Sequence, residues 1–227
     1  MYQFITGPLL WLSFAIFFIG IIARVVMYIR GLSWQLDRVA YSEHFSYGMK
    51  GAIRSIFYWI IPFGSVGWRK KPGMTFLFFI FHFCLLLTPI FLSAHNILLM
   101  EGLGFSLPTL PGGVADLLTI ILIIAGVFLV LRRIAFPEVR ILTSWYDILM
   151  IAITVAPFIT GFIAYHSSAS ANYHEWLIIH ILCGEIMLVA IPFTKLSHMV
   201  LFFMSRAQLG MDFGIKRGGM KGKGFAW

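Results

Sequence analysis

The chain has 227 residues, 60% hydrophobic and 11% charged, with a mean hydropathy of +0.91 and a formal net charge of +8. No water-soluble domain of this length needs so much apolar surface, which excludes the soluble classes and leaves an integral membrane protein. The positive charge is a topology signal first, and nothing beyond it points to nucleic acid.

Five stretches are long and apolar enough to cross a bilayer, at about 8–29, 74–100, 114–131, 145–165 and 176–204. Pro8, Pro89, Pro157 and Pro192 fall at or inside them, which membrane helices tolerate. The first stretch is too long for a signal-peptide core and has no basic flank before it, so it reads as a retained anchor. The loop that follows, residues 30–73, mixes aromatics with Arg, Lys, Asp and Glu, a pattern that suits an interfacial helix or a surface held by a cytoplasmic partner. The outer loops, 101–113 and 166–175, are short. The tail 206–227 is basic and Gly-rich and reads as extended, either a tether to anionic lipid or an arm on another subunit.

All 17 Lys and Arg lie in 24–71, 132–140 and 195–223, and none in 1–7, 101–113 or 166–175. With five spans, the three basic regions share one side of the membrane, the cytoplasm. The expected fold is therefore an all-α integral membrane protein. It has five transmembrane helices, the N-terminus outside and the C-terminus cytoplasmic, with 1–205 as the membrane domain. The cysteines, Cys84 and Cys183, sit in different spans near opposite faces, too far apart to bridge. There is no C-x-x-C-H and no set of four cysteines, so a metal centre here needs histidines.

Four histidines lie within spans: His82 and His95 on the second, His180 and His198 on the fifth. The spans run in opposite directions, so the residues pair by depth, His82 with His198 on the inner side and His95 with His180 on the outer. Two neutral imidazoles from facing helices fill both axial positions of a haem iron, which suits electron transfer rather than oxygen binding. One histidine in a span is as often a hydrogen-bonding group between helices, but four matched in depth favour two bis-His haems. On an uninterrupted helix, the 18 residues from His180 to His198 make about five full turns, putting both imidazoles in one direction roughly 27 Å apart. His82 and His95 are 13 residues apart, which puts them about 140° apart on an ideal helix, so their pairing requires a kink at Pro89. Small residues let a macrocycle approach the backbone: Gly184, one turn from His180, and Gly161 and Ala164 on the fourth span.

Five spans with His-x17-His ending in PFTKLSH resemble the membrane cytochrome b (gamma) subunit of respiratory nitrate reductase, most specifically through His180, Pro192, Phe193, Lys195, Leu196 and His198. The second-span spacing departs from that type. There FHFCLLLTPIFLSAHN looks more like related subunits of heterodisulfide-reductase-like and sulfate-reducer complexes, closest to the cytochrome b subunit of the high-molecular-weight cytochrome c complex. The resemblance implies two b haems held by His82, His95, His180 and His198, with menaquinone as a further candidate ligand. It also implies a cytoplasmic iron–sulfur partner, a periplasmic multihaem cytochrome c and other membrane subunits. On that reading the chain is a non-catalytic electron-transfer subunit of an oxidoreductase complex in anaerobic respiration. The alternatives are a quinol-oxidising or quinone-reducing site subunit and a haem-free membrane anchor.

Other polar residues divide between these readings. Lys195 either pairs a haem propionate or snorkels to the headgroups. Glu185 is expected to be a neutral carboxyl hydrogen-bonded to another helix or subunit, with a quinone-linked proton path as the alternative. His166 and His174, with Tyr165, Tyr173 and Glu175 nearby, either shape a quinol site or contact a periplasmic subunit. His44 reads as solvated or partner-facing.

Overall fold

In hydrocarbon every backbone N–H and C=O must find a partner within the segment, so apolar runs of this length become helices. The structure, a computed structural model, describes residues 2–32 and 44–216, and each regular element among them is helical. Helix α1 is Leu10–Gly31, continuous with helical turns at Tyr2–Phe4 and Ile5–Leu9; the second of these is a wide π-turn around Pro8. Then come α2 (Phe45–Ile60), α3 (Val66–Lys70), α4 (Pro72–Phe91), α5 (Ser93–Leu103) and α6 (Gly112–Ala135). After α7 (Pro137–Arg140) follow α8 (Trp145–His166), α9 (Tyr173–Phe193), a 3-10 turn at Lys195–Ser197 and α10 (His198–Lys216).

Five helices among the described residues are long and apolar enough to cross a membrane: Tyr2–Gly31, α4, α6, α8 and α9. The protein is a multi-pass membrane protein. Two of the stretches expected as single helices are broken. The second ends at Phe91, where Leu92 turns extended with ψ 132°, and resumes as α5. The fifth ends at Phe193, where Thr194 is extended with φ −122° and ψ −174°, before the 3-10 turn and α10. The tail expected to be extended from Arg206 is helical as far as Lys216. Within the loop 30–73, α2 and α3 are helices, while 33–43, like 217–227, lies outside the described residues.

The chain divides into two units, Met1–Ser13 with Phe76–Met187, and Phe14–Thr75 with Leu188–Trp227. In the first unit α4, α6 and α8 share a core of Phe81, Cys84, Leu118, Leu122, Ala125, Val155 and Phe158. Lipid tails are as apolar as these side chains, so close packing rather than water exclusion holds the helices. Gly126 permits the approach, since a Cβ there would come within 2.8 Å of Val155 Cγ2. The start of α8 is fixed by a capping box, in which the Asp147 carboxylate accepts from the Ser144 backbone N–H and hydroxyl at 2.9 and 2.8 Å.

In the second unit α2 and α10 cross through glycine. A Cβ on Gly51 would land on the Gly210 carbonyl, one on Gly210 would land on the Gly51 carbonyl, and one on Gly214 would meet the Tyr47 carbonyl. This is the small-residue crossing of membrane helices, with backbones in direct contact. Arg206 places its guanidinium 4.6 Å from the Trp59 ring centre. Helix α1 joins through Arg24, which donates to the Pro192 carbonyl, and Tyr28, which donates to Gln208 on α10.

Candidate functional site

The break at Leu92 exposes the last carbonyls of α4, which have no partner further along the helix. Side chains from the next turn and the following loop take them up. His95 Nδ1 lies 2.9 Å from the Pro89 oxygen, and Asn96 Nδ2 donates to Ile90 O at 2.9 Å and Leu92 O at 3.1 Å. The N–H of Leu110 donates to Phe91 O at 2.8 Å. Asn96 is buried and its own oxygen accepts from the Leu107 N–H at 2.7 Å, so it ties the break to the loop after α5. The interruption is a built feature, and its product is the orientation of one imidazole.

His180 on α9 is held the same way by a different helix. Its Nδ1 lies 2.9 Å from the Pro157 oxygen on α8. Gly161, one turn further along α8, makes the approach possible: a Cβ there would stand 2.8 Å from His180 Cε1 and 2.9 Å from Nδ1. A carbonyl has no proton to give, so in both histidines Nδ1 carries the hydrogen and Nε2 carries the lone pair.

The His95 and His180 ring centres lie 6.0 Å apart, with the ring planes 7° from parallel. With both N–H groups committed to carbonyls, neither ring has a donor left, so they cannot hydrogen-bond to one another. What two such rings can share is an electrophile. In-line metal–imidazole bonds of about 2 Å each put the ring centres roughly 6 Å apart, the spacing seen here. Among the described residues no three His, Cys, Asp or Glu are grouped to cage a metal ion, so a metal held by this pair needs the rest of its ligands from elsewhere, as in a porphyrin. The ring spacing is compatible with two imidazoles holding one haem iron.

The other two histidines show the same local chemistry. His82 Nδ1 lies 2.8 Å from Phe78 O and its ring packs against Phe78 and Phe81 at 4.1 and 5.6 Å. His198 Nδ1 lies 2.9 Å from Lys195 O. His82 belongs to the first unit and His198 to the second. His198 opens α10 after the Thr194 break, so the five-turn argument that aligned it with His180 on one helix does not apply. Thr194 fixes that break, its hydroxyl donating to Ala190 O at 2.7 Å and accepting from the Leu196 N–H at 3.2 Å. Lys195 lies in the 3-10 turn, beyond the end of the membrane helix. Gly184 has no described heavy atom within 4 Å of where its Cβ would stand, so the backbone there is open to a flat ligand.

Glu185 is buried, and neither carboxyl oxygen has a hydrogen-bond partner among the described residues, so the expected bond to another helix of the chain is not formed there. His166 Nε2 lies 3.5 Å from the Asp116 carboxylate, and its Nδ1 lies 3.0 Å from Phe162 O. His174 packs its ring 4.9 Å from Tyr2. His44 precedes α2 with its ring 6.0 Å from Tyr47. Asn96 and Asp116 were not singled out from sequence. An amide directly after His95 and seven residues past Pro89 was the available signal for Asn96.

A protein of Nitratidesulfovibrio vulgaris (strain Hildenborough) is 54% identical to this chain over 228 residues, covering the whole of both. The chain belongs to that protein's family. No family model matches it. The relative spans the same length, so the five membrane helices, both helix breaks and all four histidine positions fall within the matched region.

Proposed function

We propose that the chain is a dihaem b-type electron-transfer subunit of a respiratory redox complex in the bacterial inner membrane. It carries electrons between a periplasmic cytochrome c or the quinone pool and a cytoplasmic iron–sulfur subunit. The single observation that carries this reading is the His95–His180 pair: parallel imidazoles 6.0 Å apart, each with Nδ1 on a backbone carbonyl. A haem bound there would supply an iron that gains and loses one electron. His95 and His180 would hold it through Nε2, with Nδ1 of each fixed on the Pro89 and Pro157 carbonyls. His82 and His198 are the second pair on sequence grounds, with Lys195 at a propionate, while Gly184, one turn from His180, is close backbone for the first pair.

The orientation proposed is N-terminus outside, from the cation asymmetry. A pyridine haemochrome assay on the purified chain tests the function directly: two b haems per chain are expected, and none would leave a haem-free anchor. A second reading, a quinol site, is favoured by the His166–Asp116 contact, an imidazole beside a carboxylate that could accept protons. Inhibition of haem reduction by quinol analogues would distinguish a quinol site from pure electron transfer.

A further inference from the structure

Helix α2 has three faces. One carries Gly48, Gly51, Ala52 and Ser55, buried against α10. A second carries Phe45, Met49, Ile53, Phe57 and Ile60, which fall within about 120° of one another on a helix of 3.6 residues per turn. All five are exposed, Ile53 and Phe57 at 60% and 61%. Lys50 and Arg54 border that stripe on the side away from the glycines.

Five large apolar side chains left in water forgo the free energy of burial, so the stripe calls for an apolar cover. Two observations choose between covers. The first is charge: residues 44–71 contain Lys50, Arg54, Arg69, Lys70 and Lys71 and no Asp or Glu. The second is position within the unit. Tyr28, in the last turn of the membrane helix that ends at Gly31, donates to Gln208 on α10, and α10 is the helix that α2 crosses. The α2–α10 pair therefore stands at the end of a membrane span, at headgroup level.

We propose that α2 is an in-plane membrane helix whose Phe45–Met49–Ile53–Phe57–Ile60 stripe lies in the acyl boundary of the bilayer, with Lys50 and Arg54 on anionic lipid headgroups. The helix is amphipathic with cations at the rim of its apolar face, the composition of an interfacial anchor. The glycine crossing with α10 sets its roll angle, because the backbone contact fixes which side remains for lipid. This role is independent of whether the chain carries haem.

The test uses the full chain in vesicles of phosphatidylcholine with phosphatidylglycerol. With p-benzoyl-phenylalanine in place of Phe57 and the native cysteines kept, irradiation is expected to give a phospholipid adduct by mass spectrometry. A peptide adduct would show that protein, a second copy included, covers the stripe. Failure to form any adduct would show water there, and either result overturns the proposal. In an independent readout, a spin label on Ile53→Cys should be reached by oxygen and shielded from a water-soluble nickel complex, with the reverse at Lys50→Cys. Replacing all phosphatidylglycerol with phosphatidylcholine, or making Lys50→Gln with Arg54→Gln, should raise nickel access at position 53. No change in either case overturns the anionic-lipid part.

Discussion

The His95 and His180 rings lie 6.0 Å apart, and each has its Nδ1 on the backbone carbonyl of a proline, Pro89 and Pro157. If the two share one haem, removing either has the same consequence. His95→Ala and His180→Ala are each expected to lose one b haem per chain and to erase the same component of the reduced-minus-oxidised spectrum, while His82→Ala and His198→Ala erase the other. Two different components lost by His95→Ala and His180→Ala would break the pair. Gly161 gives a finer probe. An added methyl would stand 2.8 Å from His180 Cε1, so the ring must swing or the helices must part, an overpacking cost of about 1–3 kcal/mol. Gly161→Ala should shift the spectrum and lower the haem content of that site alone; an unchanged spectrum would show that the ring has room the geometry denies it. The four histidines could be picked out from sequence because a titratable ring in an apolar run stands out by type. Their hydrogen-bond partners could not, because a main-chain carbonyl has no signature of its own. Gly161 is intermediate: its small size is legible, but what it makes room for is not.

At the scale of the helices, hydropathy locates the spans but does not see the backbone within them. The stretches at 74–100 and 176–204 are apolar throughout, yet both break, at Leu92 and Thr194. Pro89 lies inside α4, which runs on to Phe91; the chain then breaks at Leu92 and restarts as a new helix. Asn96 is what makes that restart affordable in hydrocarbon, through two donated bonds and one accepted one. Asn96→Ala takes a donor from the Ile90 carbonyl and the acceptor from the Leu107 N–H, at about 1–3 kcal/mol for each group not rescued by water, while the Leu92 carbonyl keeps the Asn96 backbone N–H. The expected result is a lower thermal midpoint in detergent together with preferential loss of the haem at His95; equal loss of both haems would make Asn96 a general stabiliser only. The α2–α10 crossing escaped the sequence reading for a different reason. Gly210 and Gly214 lie in a segment that looked like a Gly-rich tail, where glycine reads as flexibility, whereas the spacing of four is also that of a close helix contact. Gly210→Val should lower the thermal midpoint and leave the His95–His180 spectral component intact, since that pair lies in the other unit. Loss of that component in the variant would show the two units to be coupled.

For the whole molecule, the strongest determinant of orientation is the placement of cations. Every Lys and Arg lies in 24–71, 132–140 or 195–223, and moving such a side chain to the bilayer centre costs about 2.5–3.5 kcal/mol on an insertion scale. Inverting the chain would require carrying all three groups across. The loops expected on the outer side, 101–113 and 166–175, contain acids instead, Glu101 and Glu175, which exert little pull of their own. The orientation also decides what the site can reach. In the proposed orientation the second span rises towards the outside, so His95, beyond the break at Leu92, would lie nearer the periplasm than His82, and the proposed haem at His95–His180 would be the entry point for electrons from an outer donor. Impermeant maleimide checks it on intact spheroplasts: Ser170→Cys is expected to react at once, while Lys71→Cys and Arg140→Cys react only after permeabilisation. The reverse pattern would invert the topology, put the His95–His180 pair on the cytoplasmic side, and exchange the donor and acceptor ends of the proposed path while leaving the ligand geometry as it stands.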